Sequence, residues 1–217
     1  VTTGTQHAPN IDMNSHGDFI ITWSDYSGER QIYARRYDAS GNALDTEAFP
    51  VLGSAYVRKL TPQVKLFDNG RFVVAWLHDT FHFYWRFFNA AAQAEGPMQQ
   101  PLGTTRVTHY DISGNTDQIL LAYFTICSGC SSGNTYLEAY DVQGISQGNS
   151  TLIPGTTTGL GSNVRLAMQT GQNSLMVYQR PDNGISSGTA FQFTAGNMLL
   201  GSPQMANTYS INGQINP

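Results

Sequence analysis

Apolar and polar positions alternate along most of this chain, in short runs broken by Gly, Asn, Asp and Ser. In the run Asp18 to Ser24, Phe19, Ile21 and Trp23 share one face, the period of two that a half-buried strand requires. Before it, Asn10 to Asn14 predicts a shorter strand, closed by the turn Ser15-His16-Gly17. After the polar stretch Asp25 to Arg30, Ile32, Ala34 and Arg36 alternate with Tyr33, Arg35 and Tyr37, which predicts a third strand over Gln31 to Asp38. Ala39-Ser40-Gly41-Asn42 supplies the next turn, and Phe49 to Leu52 predicts a fourth strand. Helical signals are nearly absent. Ala90 to Glu95 is the best of them, but it holds a turn position and stops at Gly96-Pro97, so it reads as a turn.

The whole pattern then returns. Gly17-Asp18-Phe19-Ile20-Ile21-Thr22-Trp23 recurs as Gly70-Arg71-Phe72-Val73-Val74-Ala75-Trp76, and in weaker form as Ile119 to Tyr123 and Ser174 to Tyr178. The aromatics that close the third strand, Tyr37, Phe88, Tyr140 and Phe193, stand 51, 52 and 53 residues apart. A period near 50 with several strands per unit predicts propeller blades. The expected fold is all-β: a β-propeller-type array of four four-stranded antiparallel blades, either a closed four-bladed ring or part of a larger propeller. The predicted boundaries make 1–217 a single repeat domain. Residues 1–8 are the fourth strand of a preceding or last blade, 9–54, 55–103, 104–155 and 156–209 are the four blades, and 210–217 is a tail or the start of another blade. Trp23, Trp76, Tyr123 and Tyr178 fall at equivalent places and are expected in the core, filling the wedge between adjacent sheets.

Composition narrows the setting. Only 12% of residues are charged, where about 25% is usual, and the formal net charge is −4, so no basic face is available to neutralise phosphates. Nucleic acid is not an expected partner. Neither is a membrane crossed by a helix, because no apolar run approaches the roughly 20 residues that such a helix needs. The only cysteines, Cys127 and Cys130, sit in a Ser/Gly loop with Ser128-Gly129 between them, too few for a four-thiolate zinc site, and are expected to form a local disulfide.

The segments Gly17 to Trp23 and Ile32 to Asn42 resemble repeats of large bacterial secreted and cell-surface proteins. The resemblance implies propeller-type blades and a secreted or surface-attached binding or adhesion module. The first two copies carry it well, whereas the third and fourth keep the spacing but lose the Trp and the Arg pair.

Candidate chemistry is sparse. His78, Asp79, Phe81, His82, Tyr84, Trp85 and Arg86 crowd one loop and its following strand, and exposed rings beside hydrogen-bonding groups suit the CH faces of a sugar or a partner's side chains. Packing between blades explains the same residues. Asp12, Asn14 and Asp18 place oxygens at intervals before and after Gly17 as a short calcium loop would, although His16 interrupts the series and a hairpin turn needs no ion. No cofactor other than calcium is expected. Glycosidase chemistry needs two neighbouring carboxyls, for which Asp25, Glu29, Asp79 and Asp117 are the loop candidates. No serine-nucleophile motif is present. The expected role is therefore a non-enzymatic extracellular module that binds a glycan or protein through blade loops. The alternative is a structural subunit that joins copies of itself by strand exchange, and a glycoside hydrolase or lyase comes third.

Overall fold

The structure, a computed structural model, describes residues 5–27, 30–52, 61–78, 81–101, 106–126, 133–154, 163–168, 173–182 and 186–206. Every regular element among them is a strand, and no helix is long and apolar enough to cross a membrane. The strands form four four-stranded antiparallel sheets of β-propeller type. By contacts the chain divides into two units, Val1–Pro101 and Leu102–Pro217, with two sheets in each.

In the first unit, β1 (Gln6–Met13), β2 (Phe19–Asp25), β3 (Gln31–Tyr37) and β4 (Phe49–Pro50) pair in chain order. β5 (Gln63–Leu66), β6 (Phe72–Leu77), β7 (Phe83–Phe88) and β8 (Ala94–Gln99) do the same. The second unit repeats the plan with β9 (Arg106–Gly114), β10 (Gln118–Ile126), β11 (Gly133–Asp141) and β12 (Thr151–Leu152). Its other sheet holds β13 (Val164–Met168), β14 (Asn173–Asp182), β15 (Ser186–Ala195) and β16 (Met198–Met205). Gln6 and His7 pair with Asp25 and Ser24 inside the first sheet, so they extend β1 and do not form a fourth strand of another sheet; Val1 to Gly4 lie outside the described residues.

Turn chemistry fixes these meanders. After the third strand, Asp38 Oδ1 accepts the N–H groups of Ser40 and Asn42 at 2.9 and 2.8 Å. Asn89 Oδ1 does the same for Ala91 and Gln93, and Asp141 Oδ1 for Gln143 and Ile145. Each short side chain thus stands in for a backbone acceptor and closes the same five-residue turn. The turns need a left-handed residue, supplied by Gly41 at φ 84° and Gly144 at φ 82°, while Ala92 holds φ 58° in the second copy.

The core of each unit lies between its two sheets. In the first, Ile20, Ile32 and Ala34 receive Val64, Leu66, Phe72, Val74, Trp76 and Phe88. In the second, Leu120, Ala122, Leu137 and Ala139 receive Val164, Met176, Tyr178 and Ala190. The inner strands are also linked directly. Asn10 Oδ1 accepts Val64 N–H at 2.9 Å and Asp12 Oδ2 accepts Leu66 N–H at 2.6 Å. The second unit repeats this link, with Asp111 Oδ2 accepting Leu166 N–H at 2.6 Å and Ser113 Oγ accepting Met168 N–H at 3.0 Å.

Three of the four expected core aromatics are fully buried: Trp76, Tyr123 and Tyr178. Trp23 departs from the expectation. It is half-buried, because β2 turns Ile20 and Thr22 toward the second sheet and leaves Phe19, Ile21 and Trp23 on the opposite face. There Trp23 stacks on its cross-strand neighbour Tyr33, with ring centroids 6.1 Å apart.

A polar residue recurs at one place on the third strand of every sheet, two positions after the partner of the central aromatic: Arg35, Arg86, Glu138 and Gln192. Each ties down the fourth strand or the segment that leads into it. Arg35 donates to Asp45 O, Arg86 Nε to Gly96 O at 3.1 Å and Gln192 Nε2 to Gly201 O at 2.7 Å, whereas Glu138 accepts from the Ser150 hydroxyl. Arg35 and Arg86 are thereby engaged as tethers.

Candidate functional site

Asn10 and Asp12 reach Val64 and Leu66 in ascending order, so β1 and β5 run parallel. The β2–β3 and β6–β7 connections consequently emerge at the same end of the first unit, beside the start of β1. This end gathers most of the candidate chemistry.

On the first sheet, Asp25 closes β2 and is almost fully buried. Its carboxylate accepts the Ser27 N–H at 2.8 Å, the Ser27 hydroxyl and the Gln6 amide at 3.4 Å. Burial alone would raise the Asp25 carboxyl, but these donors outweigh it and hold it below its ordinary value. It is therefore ionised at neutral pH. Next to it, the His7 ring lies 4.9 Å from that of Tyr26, and the Arg30 guanidinium sits over the Tyr26 face at 4.9 Å.

On the second sheet, the β6–β7 connection is closed by two backbone bonds, His78 N–H to His82 O and Phe81 N–H to His78 O, both 2.8 Å. Phe81 takes a left-handed φ of 65° to make that turn. The connection brings His78 and His82 to within 6.1 and 6.4 Å of Tyr84, measured between ring centroids, and Tyr84 in turn stacks on Trp76 at 6.0 Å. The result is a shelf of rings whose inner member is fixed in the core. Asp79 lies outside the described residues.

Two members of the sequence-derived set are not part of this shelf. Strand alternation turns Trp85 to the other face, where it is completely buried against Phe83 with centroids 5.8 Å apart. Arg86 is spent on Gly96 O. The Asp12, Asn14 and Asp18 oxygens are likewise occupied by the fold. Asp12 takes the Leu66 N–H and pairs with Lys65 Nζ at 3.0 Å, Asn14 Oδ1 takes the N–H groups of His16 and Asp18, and Asp18 Oδ1 takes that of Ala39. Among the described residues no group of three or more His, Cys, Asp or Glu is placed to hold a metal ion. Cys127 and Cys130 lie outside the described residues.

Sequence reasoning missed one polar cluster in the second unit. Glu138 is 1% exposed, yet its carboxylate accepts the Tyr123 hydroxyl at 2.6 Å together with those of Tyr140 and Ser150. Burial, and then the Glu138 carboxylate, push the Tyr123 phenol well above its usual range. The signal was present in Tyr136-Leu137-Glu138-Ala139-Tyr140, where alternation sets a carboxylate between two phenols on one face.

No protein-family model matches the chain, and no curated protein matches it either. Solved structures do share its fold. A protein of unknown function from Dyadobacter fermentans aligns over 93% of this chain and 69% of its own, with a TM-score of 0.62 at 8% identity. The α-L-arabinofuranosidase from Lactobacillus brevis aligns over 96% and 74%, with a TM-score of 0.56 at 10% identity. The α-L-arabinofuranosidase PaAbf62A from Podospora anserina, solved with cellotriose, aligns over 89% of this chain at a TM-score of 0.51 and 10% identity, and this chain spans 65% of its length. These findings correct two expectations. The fold taken for that of a non-enzymatic adhesion module or strand-exchanging subunit is one that glycoside hydrolases use, and the expectation that the chain is no enzyme loses its basis with it. At such low identity the likeness carries the fold, and the chemistry has to be argued from this chain's own residues.

Proposed function

We propose that this chain is the body of a secreted, carbohydrate-active propeller that hydrolyses a glycosidic bond at the β2–β3 and β6–β7 end of its first unit. The observation that carries the reading is the pairing of a ring shelf, Trp76 to Tyr84 with His78 and His82, with an ionised and nearly buried carboxylate, Asp25, at the same end of two adjacent sheets. Rings of this kind stack on the CH face of a sugar while the imidazoles bond its hydroxyls. Glycoside hydrolysis adds a demand for two carboxyl groups, one ionised as base or nucleophile and one protonated as acid. Asp25 fits the first role. For the second role we nominate Asp79 on its position in the sequence alone, between β6 and β7. The glycoside hydrolases that share this fold support the scaffold's suitability for such work.

The test is hydrolysis of an aryl α-L-arabinofuranoside, arabino-oligosaccharides and xylotriose by the purified chain, alongside Asp25→Asn, Asp79→Asn and Tyr84→Ala. Asn at either acidic position is expected to lower kcat by about 10²–10⁴-fold, the usual worth of a positioned acid or base, and Tyr84→Ala to raise KM with kcat little changed. An inert wild-type chain, or one whose rate is indifferent to both Asn substitutions, would overturn the assignment.

A further inference from the structure

The sheets use their two faces unequally. In the first unit the second sheet inserts Val64, Leu66 and Trp76 into the first, where all three are buried. Register makes Ile11, Met13 and Trp23 the equivalents on the first sheet, since Ile11 faces Ile21 as Val64 faces Val74, and Met13 faces Phe19 as Leu66 faces Phe72. There, however, Ile11 is 58% exposed, Met13 is 55% exposed and Trp23 is half-buried.

The last sheet leaves the opposite face uncovered. It turns Met176, Tyr178 and Ala190 onto the third sheet, and Phe193, Met198 and Leu200 on its other side are 54%, 64% and 41% exposed. By register Leu175 stands where Ile20 stands in the first sheet, and Phe191 where Ala34 stands. Those are the residues that receive the Val64 to Trp76 face. The chain therefore presents the inserting half of a sheet contact on its first sheet and the receiving half on its last, both apolar and both uncovered.

We infer that the two faces bind each other between copies: the first sheet of one chain packs on the fourth sheet of a second copy, a head-to-tail contact that continues the internal interface. This contact is weaker than the internal ones for a reason visible in the sequence. Arg165 and Ala167 occupy the places of Asn10 and Asp12, by their pairing with Val177 and Leu175, and neither side chain can accept the backbone N–H groups of the incoming inner strand. Association is accordingly reversible and concentration-dependent. It does not depend on the catalytic reading, and its readout is mass.

Sedimentation velocity of the full chain over a range of concentrations tests it, with Ile11→Asp and Phe193→Asp as single-face variants. The wild type is expected to shift from monomer toward dimer and higher species. Each variant alone is expected to associate about a hundredfold or more weakly, as befits an unpaired carboxylate forced into an apolar contact. An equimolar mixture is expected to recover a 1:1 dimer, because each variant keeps the face that the other has lost. Far-UV circular dichroism confirms that the variants keep their strands, and Met13→Asp with Leu200→Asp gives the same reading if they do not. A wild type that stays monomeric throughout, a variant that associates as the wild type does, or a mixture that fails to dimerise would each overturn the inference.

Discussion

Trp76→Ala is expected to lower the unfolding free energy by about 3–5 kcal/mol, while Trp23→Ala, at the equivalent position one repeat earlier, lowers it by no more than about 1.5 kcal/mol. The difference comes from packing alone. Trp76 is 1% exposed and sits among Ile20, Ile32, Val74 and Tyr84 in the contact between two sheets, so truncation leaves a cavity that neighbouring strands cannot close. Trp23 is half-buried and stacks on Tyr33. A loss of 3–5 kcal/mol is a large share of the stability of an ordinary domain. Urea denaturation followed by circular dichroism measures both, and equal losses at the two sites would mean that the faces are not partitioned as described.

The second large effect is expected at Glu138. Glu138→Ala removes the carboxylate that accepts from two buried phenols and the Ser150 hydroxyl, and a hydrogen bond to a charged group is worth about 1.5–3 kcal/mol, so losing the two phenol bonds alone costs about 3 kcal/mol or more. The same cluster gives stability an alkaline limit. Tyr123 has a folded pKa raised above its ordinary value of 10.0, first by burial and then by Glu138. Above about pH 10 the unfolded phenol releases its proton while the folded one retains it, so the unfolded state binds fewer protons and stability falls as pH rises. Below that pH the contribution is fully present. Unfolding free energies between pH 8 and pH 11 should decline in the wild type and decline less in Tyr123→Phe, and parallel pH profiles would remove Tyr123 as the cause.

The fold was legible because local signals agreed with one another. Gly17 and Gly70 mark first turns with positive φ, Asp38 and Asp141 mark turns after third strands, and the runs between them alternate with period two. The fourth strands were less legible. In the last sheet β16 covers Met198–Met205, because turn residues Gly196 and Asn197 start the strand directly after β15. Which face of a strand is buried was also beyond the alternation itself. Phe19, Ile21 and Trp23 form the more aromatic face of β2, yet Ile20 and Thr22 are the buried ones, since order within the array and not hydrophobicity decides which side meets the next sheet. For the candidate site, the His78, His82 and Tyr84 grouping was readable from chain proximity. The contribution of His7, Tyr26 and Arg30 was not, because it needs β1 and β5 to run parallel and so bring two connections to one end.

Residue-resolved amide hydrogen exchange addresses the repeat architecture itself. In a four-stranded meander the second and third strands have partners on both sides, so the account predicts four protected pairs of segments, residues 19–25 with 31–37, 72–77 with 83–88, 118–126 with 133–141 and 173–182 with 186–195, each falling off at the adjoining turns. A repeat whose second strand exchanges as fast as its turns, or protection spread evenly along the chain without this period, would contradict it.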